Sequence, residues 1–559
     1  MSLEINYIDA PEGAQEKMEA SAIGGNSVAD ASSIRTGAPD TPWATLEPGL
    51  WRLDGTRRVM PDAPKVGWWS STVSGNEGVF SDPPVITLSF PLPYSAAGIT
   101  FTFSPSTEQW CSEIRVTWWS GITLIKTGTY YPTSGRFELE ETVESFDKIE
   151  IELLKTNRPN EFAKVQKIEI GRTILLGAKD ILVTRLTNEV DPSICELSAD
   201  MMSFEIRDVD EHGFLPQENQ RVELYKDGAL KAVHYITSST RKSSSNYLIY
   251  AQSAIGLLNN SFLGGIYENK PVKELLTEIL GPWEYELHEV FEREVINGYI
   301  PACTQREALQ QVSFAIGAMV TTQGSSKIRL IPIPSTVSAK FTANDIMLGA
   351  SVESVPRIAR VDVLAHTYTK SDTSETLMME ETVEIENGEE TALITFGNPH
   401  YDYQITGGDI TESGVNYVRI KPNGPVTLTG KTYLHTTRTF SRRNPAATAK
   451  EQGNHEKILL ATLVNPGNAP KVVDRLYSAR LRRQTVKFDA AVNKQAAGEM
   501  ASAFTPWGTM TRGFVSSMNS TLTQNGFIST IELHGIESVG ESVWVYSGEL
   551  HSGDMGVLY

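Results

Sequence analysis

The sequence predicts a mainly β, multidomain protein, and three observations carry that prediction. Short runs of alternating apolar and polar residues recur along most of the chain, punctuated by Gly, Pro, Asn-Gly and Asp-Gly. Apolar residues at helical spacing are confined to two regions, 272–320 and 441–484. The 559 residues are too many for one core, so about three to five domains are expected. The architecture read from these signals is an N-terminal β-sandwich, two small β-barrels flanking an α/β core, and a C-terminal α+β unit.

Residues 1–40 are small and polar, and Gly24-Gly25-Asn26-Ser27 and Ala29 to Ser33 show no period. They read as an extended arm, ordered where a neighbour holds it. Residues 41–175 hold seven of the ten tryptophans: Trp43, Trp51, Trp68, Trp69, Trp110, Trp118 and Trp119. Strand patterns at 85–90, 99–103, 114–118, 146–154 and 165–170 alternate with turn residues such as Pro83-Pro84 and Ser134-Gly135. Many short strands and no long helix indicate a sandwich. Residues 176–265 supply five more strand patterns and read as the first barrel. Asp227-Gly228 stands between two of them, as a tight hairpin prefers, with Val222 and Leu224 facing one way and Arg221, Glu223 and Tyr225 the other.

Residues 266–340 read as a helix-helix-strand core. Val272, Leu275, Leu276, Ile279 and Leu280 form one apolar stripe, stopped by Gly281-Pro282. Thr304 is placed to cap the second helix, with Glu307 at the capping-box spacing. Its stripe is read as Leu309, Val312, Ile316, Met319 and Val320, broken at Gly324, with a strand from Lys327 to Ile331. Residues 341–440 are read as the second barrel. Asn387-Gly388 would join 382–385 to 392–396, and Asn423-Gly424 would join 417–420 to 426–428. Residues 441–536 begin as helix, from His455 to Leu463 and then through Val472, Val473, Leu476 and Ala479. Lys471, Arg475, Arg480, Arg482 and Arg483 occupy the other face of that second helix, and strands follow at 485–492, 513–516 and 527–534. Residues 537–559 read as a Ser/Gly-rich tail available to a neighbour.

Composition narrows the function. A formal charge of -19 argues against a role built on phosphate binding. Three separated cysteines, Cys111, Cys195 and Cys303, fit neither a disulfide framework nor a zinc site. Met1 to Pro48 has no apolar core of a signal peptide, and no run approaches ~18 apolar residues, so no membrane span is expected. No zinc-protease helix, nucleophile elbow, phosphate loop or Gly-x-Gly-x-x-Gly occurs, so no catalytic, metal or cofactor site is assigned. Asp208-Val209-Asp210-Glu211-His212 lacks the glycine and terminal glutamate of a calcium loop and reads as a solvated turn. Glu380 to Glu390 alternates with Val383 and Ile385, as the outer face of a hairpin would. The adjacent pairs Trp68-Trp69 and Trp118-Trp119 are the candidate glycan-binding residues. Neighbours on a strand face opposite sides, so one of each pair is expected to leave the core as a sugar platform or to pack on a loop or a neighbouring subunit.

Particular runs carry a family resemblance. Gly298-Tyr299-Ile300-Pro301, Thr304 to Gln311 and Phe314 to Ala318 resemble the middle of tail hub proteins of tailed bacteriophages. Ser203 to Arg207, Gln220 to Tyr225 and Tyr247 to Ala254 resemble the first hub barrel in order. Ala461 to Asn465, Asn468-Ala469, Ala497-Gly498-Glu499, Thr505 to Gly508 and Gly513-Phe514-Val515 resemble the hub C-terminus. The resemblance spans roughly 176–536. Within the sandwich, Phe146 to Ile151 and Val165 to Gly171 look like a galactose-binding-like jelly roll. The hub resemblance implies a non-enzymatic homotrimer with two barrels per subunit. It would join the tail tube or distal tail protein to a tip fibre or spike, meet the tape measure protein, and surround a channel through which DNA passes without specific binding. It also implies a place in the virion tail, assembled in the host bacterial cytoplasm. The charge adds the expectation of a mostly acidic bore. The alternative reading is a tail protein that binds cell-surface glycans through the sandwich.

Overall fold

The computed structural model describes residues 3–538 except 10–12, 27–28, 38–42, 52–53, 55–57, 60–66, 97, 105–106, 178, 208–217, 244, 348–349, 386–389, 492–495, 506–508 and 524–525. The acidic turn at Asp208, the Asn387-Gly388 dipeptide, Pro506-Trp507-Gly508 and the tail beyond 538 therefore lie outside the described residues. The chain is mainly β, in several sheets, with few helices.

Alternation builds the sandwich. Ile86, Leu88 and Phe90 point inward from Val85–Ala96, as do Ile114, Val116 and Trp118 from Cys111–Ser120 and Phe146, Ile149, Ile151 and Leu153 from Val143–Thr156. These strands form a five-stranded antiparallel sheet with Glu19–Ile23 and Thr123–Tyr130 at its edges. Ile99, Phe101, Leu139, Ile168 and Ile170 meet them from a three-stranded sheet. Burying each such side chain contributes roughly 1.5–3 kcal/mol.

The N-terminal segment corrects the expectation of an arm that waits for a neighbour. Leu3–Asp9 is a strand between Arg172–Leu176 and Arg221–Lys226, with Ile5 fully buried, and Glu19–Ile23 pairs with Val85–Ala96. Backbone pairing along two sheets holds a segment whose side chains alone carry little apolar surface.

The strands between 181 and 252 pair as antiparallel neighbours around Phe204, Ile206, Val222, Leu224, Ile236 and Ile249. At the Asp227-Gly228 hairpin both residues have positive φ, 50° and 75°, the conformation that dipeptide favours. The sheet does not stop there. Ile181–Glu189 pairs with Met510–Thr523, and the ladder continues through Gly526–Ser538 and Gln484–Ala490 to Ser351–Ser354, thirteen strands in all with Val337–Phe341 and Met500–Phe504. Phe341, Phe488, Phe514 and Leu533 fill the second core of this sheet. The second barrel expected within 341–440 does not form as one unit. Ser351–Ser354, and Val337–Phe341 just before it, join the C-terminal strands, and the strands from 360 to 443 form a separate sheet.

That separate sheet is built on Arg360–Glu381 and the 27-residue strand Tyr417–Arg443. Asn423-Gly424 is not a hairpin. It sits inside Tyr417–Arg443, where the register jumps from Thr406↔Thr427 to Gly408↔Pro422. Pro422 and Pro425 cannot donate to the ladder, so the segment bulges instead of turning. Gly407 makes room for it: its φ is 84°, and a Cβ there would stand 1.9 Å from the Pro425 carbonyl oxygen. The segment 382–385 forms no strand, and Ala392–Thr395 pairs with Tyr417–Ile420.

Helices Val272–Leu280 and Gln305–Ile316 pack together at the centre. Thr304 and Glu307 form the expected capping box. The second helix stops earlier than expected, at Gly317, whose φ of 79° closes it, and Met319 and Val320 continue on the strand Ala318–Thr321. The strand Ile328–Pro332 follows antiparallel to it. His455 to Leu463 is not helical. His455–Ile458 is a strand parallel to Arg360–Val363, and the C-terminal helix is confined to Ala469–Arg480. The capped helix sends Ala308, Leu309 and Val312 to the first helix and Phe314 to the core shared with the C-terminal helix.

Candidate functional site

The four candidate tryptophans are not gathered into one site. Trp68 and Trp69 lie on Trp68–Val73, opposite Val165 and Lys164. Alternation sends them to opposite sides, yet they are only 1% and 4% exposed, because the outer side is covered by a polar layer. Lys164 Nζ lies 4.4 Å from the Trp69 ring centroid and 2.6 Å from both Glu47 Oε2 and Gln109 Oε1. Gln109 Nε2 donates to Glu47 Oε1 at 2.9 Å, and the Phe162 amide donates to the same oxygen. Trp69 Nε1 is buried with no partner among the described residues. Beside this cluster, burial pushes the Glu161 carboxyl above the usual carboxylate range, opposed by Gln109 and Arg158.

Trp118 is buried, edge-on to Tyr130. Trp119 is the one candidate that reaches the surface. Its Nε1 donates to Glu150 at 2.9 Å, and Lys148 Nζ sits 4.7 Å from its ring centroid. A sugar platform needs an open ring face. Trp68, Trp69 and Trp118 offer none, and the Trp119 face is shared with a lysine.

A second polar feature escaped the sequence reading. His366 Nδ1 lies 2.9 Å from His435 Nε2, and the two rings stack at 8°. Tyr368 stacks on His435 at 4.5 Å, and Tyr299 meets Tyr368 at 5.0 Å. The stack joins the long-strand sheet to the Gly298-Tyr299-Ile300 segment of the core. Gly298 belongs to the same joint: its φ is 139°, and a Cβ would stand 2.8 Å from the Thr462 carbonyl oxygen. Cross-strand pairing of His366 with Thr437 and Tyr368 with His435 brings the rings together, and that register is invisible before the strands are paired.

Of the acidic segment expected on a hairpin face, Glu380 and Glu381 end the strand Arg360–Glu381, residues 386–389 lie outside the described residues, and Glu390 pairs with Lys421 at 2.7 Å on the surface. Among the described residues, no group of three or more His, Cys, Asp or Glu could hold a metal ion, and no helix is long and apolar enough to cross a membrane.

No protein-family model and no curated protein matches this chain. Solved structures similar to it include the tail protein from Neisseria meningitidis MC58, at 12% identity and a TM-score of 0.40, covering 64% of this chain and 93% of that one. The 43 kDa tail protein of prophage MuSo2 from Shewanella oneidensis is similar at 9% identity and a TM-score of 0.40, over 65% and 95% of the two chains. The E. coli c3393 protein, a type VI secretion component described as similar to T4 tail proteins gp27 and gp5, is similar at 8% and 0.31, over 64% and 74%. At these identities and scores the likeness carries no functional argument.

Proposed function

We propose that this chain is a structural hub of a phage tail tip or baseplate. One observation carries the reading: the segment that resembles tail hubs, Gly298 to Ala318, is the centre of the fold. Its capped helix packs on one side against Val272–Leu280 and on the other against the unit holding Ala469–Arg480. Two cores of a continuous thirteen-stranded sheet accompany it, one around Phe204 and one around Phe514. In this reading residues 176–536 form the hub unit, and three copies close a ring around the DNA channel. The ring joins the tail tube to the tip apparatus. The sandwich of residues 41–175 is an addition that packs on neighbouring tail proteins, since three of its four candidate tryptophans are buried in it. The chain performs no catalysis.

Antibodies raised against the sandwich test the reading. They should decorate one end of purified tails in negative-stain micrographs. Label along the tail shaft, or only on cell envelopes, would contradict it.

A further inference from the structure

Charge is strongly segregated in this chain. Residues 438–487 carry eleven Lys and Arg against three Asp and Glu, inside a protein of net charge -19. Residues 268–294 carry eight Glu against three Lys and Arg. Not all of these charges are free at a surface, since Arg475 is half-buried against Phe314 and Arg480 is paired with Glu456, but in each stretch several are exposed with aliphatic residues among them.

The basic surface lies beside the C-terminal helix. Ala365↔Arg438, Val363↔Phe440 and Val361↔Arg442 are cross-strand pairs, so all six side chains share the face that this helix covers. Arg438 stacks over Phe440, and Arg442 lies over Tyr477. Lys471 is exposed on the helix itself. Arg438 and Lys471 have no carboxylate partner among the described residues, whereas Arg442 is 3.6 Å from Asp474. Leu434, Leu459 and Leu460 are 58%, 52% and 82% exposed in the same region.

The acidic surface lies on the segment between the first helix and the strand Val295–Ile300. Glu286, Glu289, Glu292 and Glu294 are exposed after the first helix, with Arg293 the one cation between 284 and 294. Val290 and Val295 are 60% and 46% exposed among them. The capped helix packs on the first helix through Leu309 and Val312, and on the C-terminal unit through Phe314, so each surface belongs to a unit packed on it.

We infer that the basic surface around Arg438 and Lys471 docks on the acidic surface around Glu286 and Glu289 of a second copy of this chain. The inference rests on the ring reading above and names the surfaces that close it. Two distinct, complementary patches on one subunit make a head-to-tail contact, which generates a ring when the rotation closes. Exposed leucines beside the arginines suit a protein partner better than the phosphates of a nucleic acid, and aliphatic centres with charged rims match a protein interface.

Charge exchange in the full-length chain tests the pairing. The basic-face variant is Arg438→Glu with Lys471→Glu, and the acidic-face variant is Glu286→Lys with Glu289→Lys. Light scattering at micromolar protein and ~10 mM salt, where the Debye length is ~30 Å, reports association. The wild type should associate, and each single-face variant should weaken association at least tenfold. A chain carrying all four substitutions should regain it. The substituted residues are exposed, and unchanged melting curves will establish that every variant is folded. A monomeric wild type, undiminished association in either single-face variant, or no recovery in the fourfold variant overturns the inference. Gel shift on duplex DNA separates the other partner class. Loss of DNA binding in the basic-face variant with self-association intact would make this a nucleic-acid surface and also overturn the pairing. Failure here with three copies still present in assembled tips would leave the ring reading standing on other faces.

Discussion

Glu47 and Lys164 hold the covered face of Trp69 through a buried ion pair, and a buried pair is destabilising mainly when it is broken. Glu47→Gln leaves the Lys164 ammonium without its charge partner, so it should cost about 3–5 kcal/mol, read as a lower melting temperature. Replacing both residues together by Met and Leu should recover most of that loss. Two other buried groups set a pH response. Burial pulls His234 from 6.5 down to about 4, so its contribution is complete above the ordinary histidine range and is lost as pH falls from about 6.5 toward 4. Burial raises the Asp200 carboxyl from 3.8 to about 7, so the folded state keeps a proton that the unfolded chain releases, and stability falls as pH rises across that interval. The two slopes oppose each other between pH 4 and 6.5. Asp200→Asn should therefore unmask the histidine, giving a variant whose stability drops on acidification more steeply than the wild type. Parallel denaturant titrations at pH 4.5 and 6.5 decide it, and identical pH slopes would show that neither group titrates as described.

Elements whose cause is local were legible in the sequence. The capping box at Thr304 and Glu307, the helix stop at Gly281 and the Asp227-Gly228 hairpin each follow from a few neighbouring residues. Thr304→Ala should accordingly cost about 1 kcal/mol, because one first-turn N–H loses its acceptor. Leu309→Asp should abolish soluble expression, since Leu309 is fully buried between two helices. Ile316→Asp should be milder, because the helix ends there and the side chain is half-buried. Elements whose cause is distant were not legible. Asn423-Gly424 reads as a turn until Gly407 is seen to open space for its bulge, and Gly407→Ala should disrupt that sheet severely. The second barrel was bounded at 440 because nothing near Val337 or Ser351 announces the partners at Met500 and Lys487. The burial of Trp69 was not legible for the same reason. Strand alternation turned Trp69 outward correctly, but the layer that covers it comes from Glu47, Gln109 and Lys164, which are remote in sequence.

At the scale of the whole molecule, the proposed role is that of a subunit in an assembly, without chemistry of its own. A zymogram on bacterial cell walls should show no clearing by the purified chain, and clearing would reveal a catalytic group outside those described. The mainly β build and the central helix pair were legible because both rest on periodic patterns. The continuous thirteen-stranded sheet was not, because it ties residue 3 to residue 538 through pairings no local pattern announces. The central claim is that copies of this chain close a ring at the tail tip, and native mass spectrometry of tips released from intact tails tests it most directly. The account predicts three copies of the 61.6 kDa chain in each tip. A single copy per tip would contradict it.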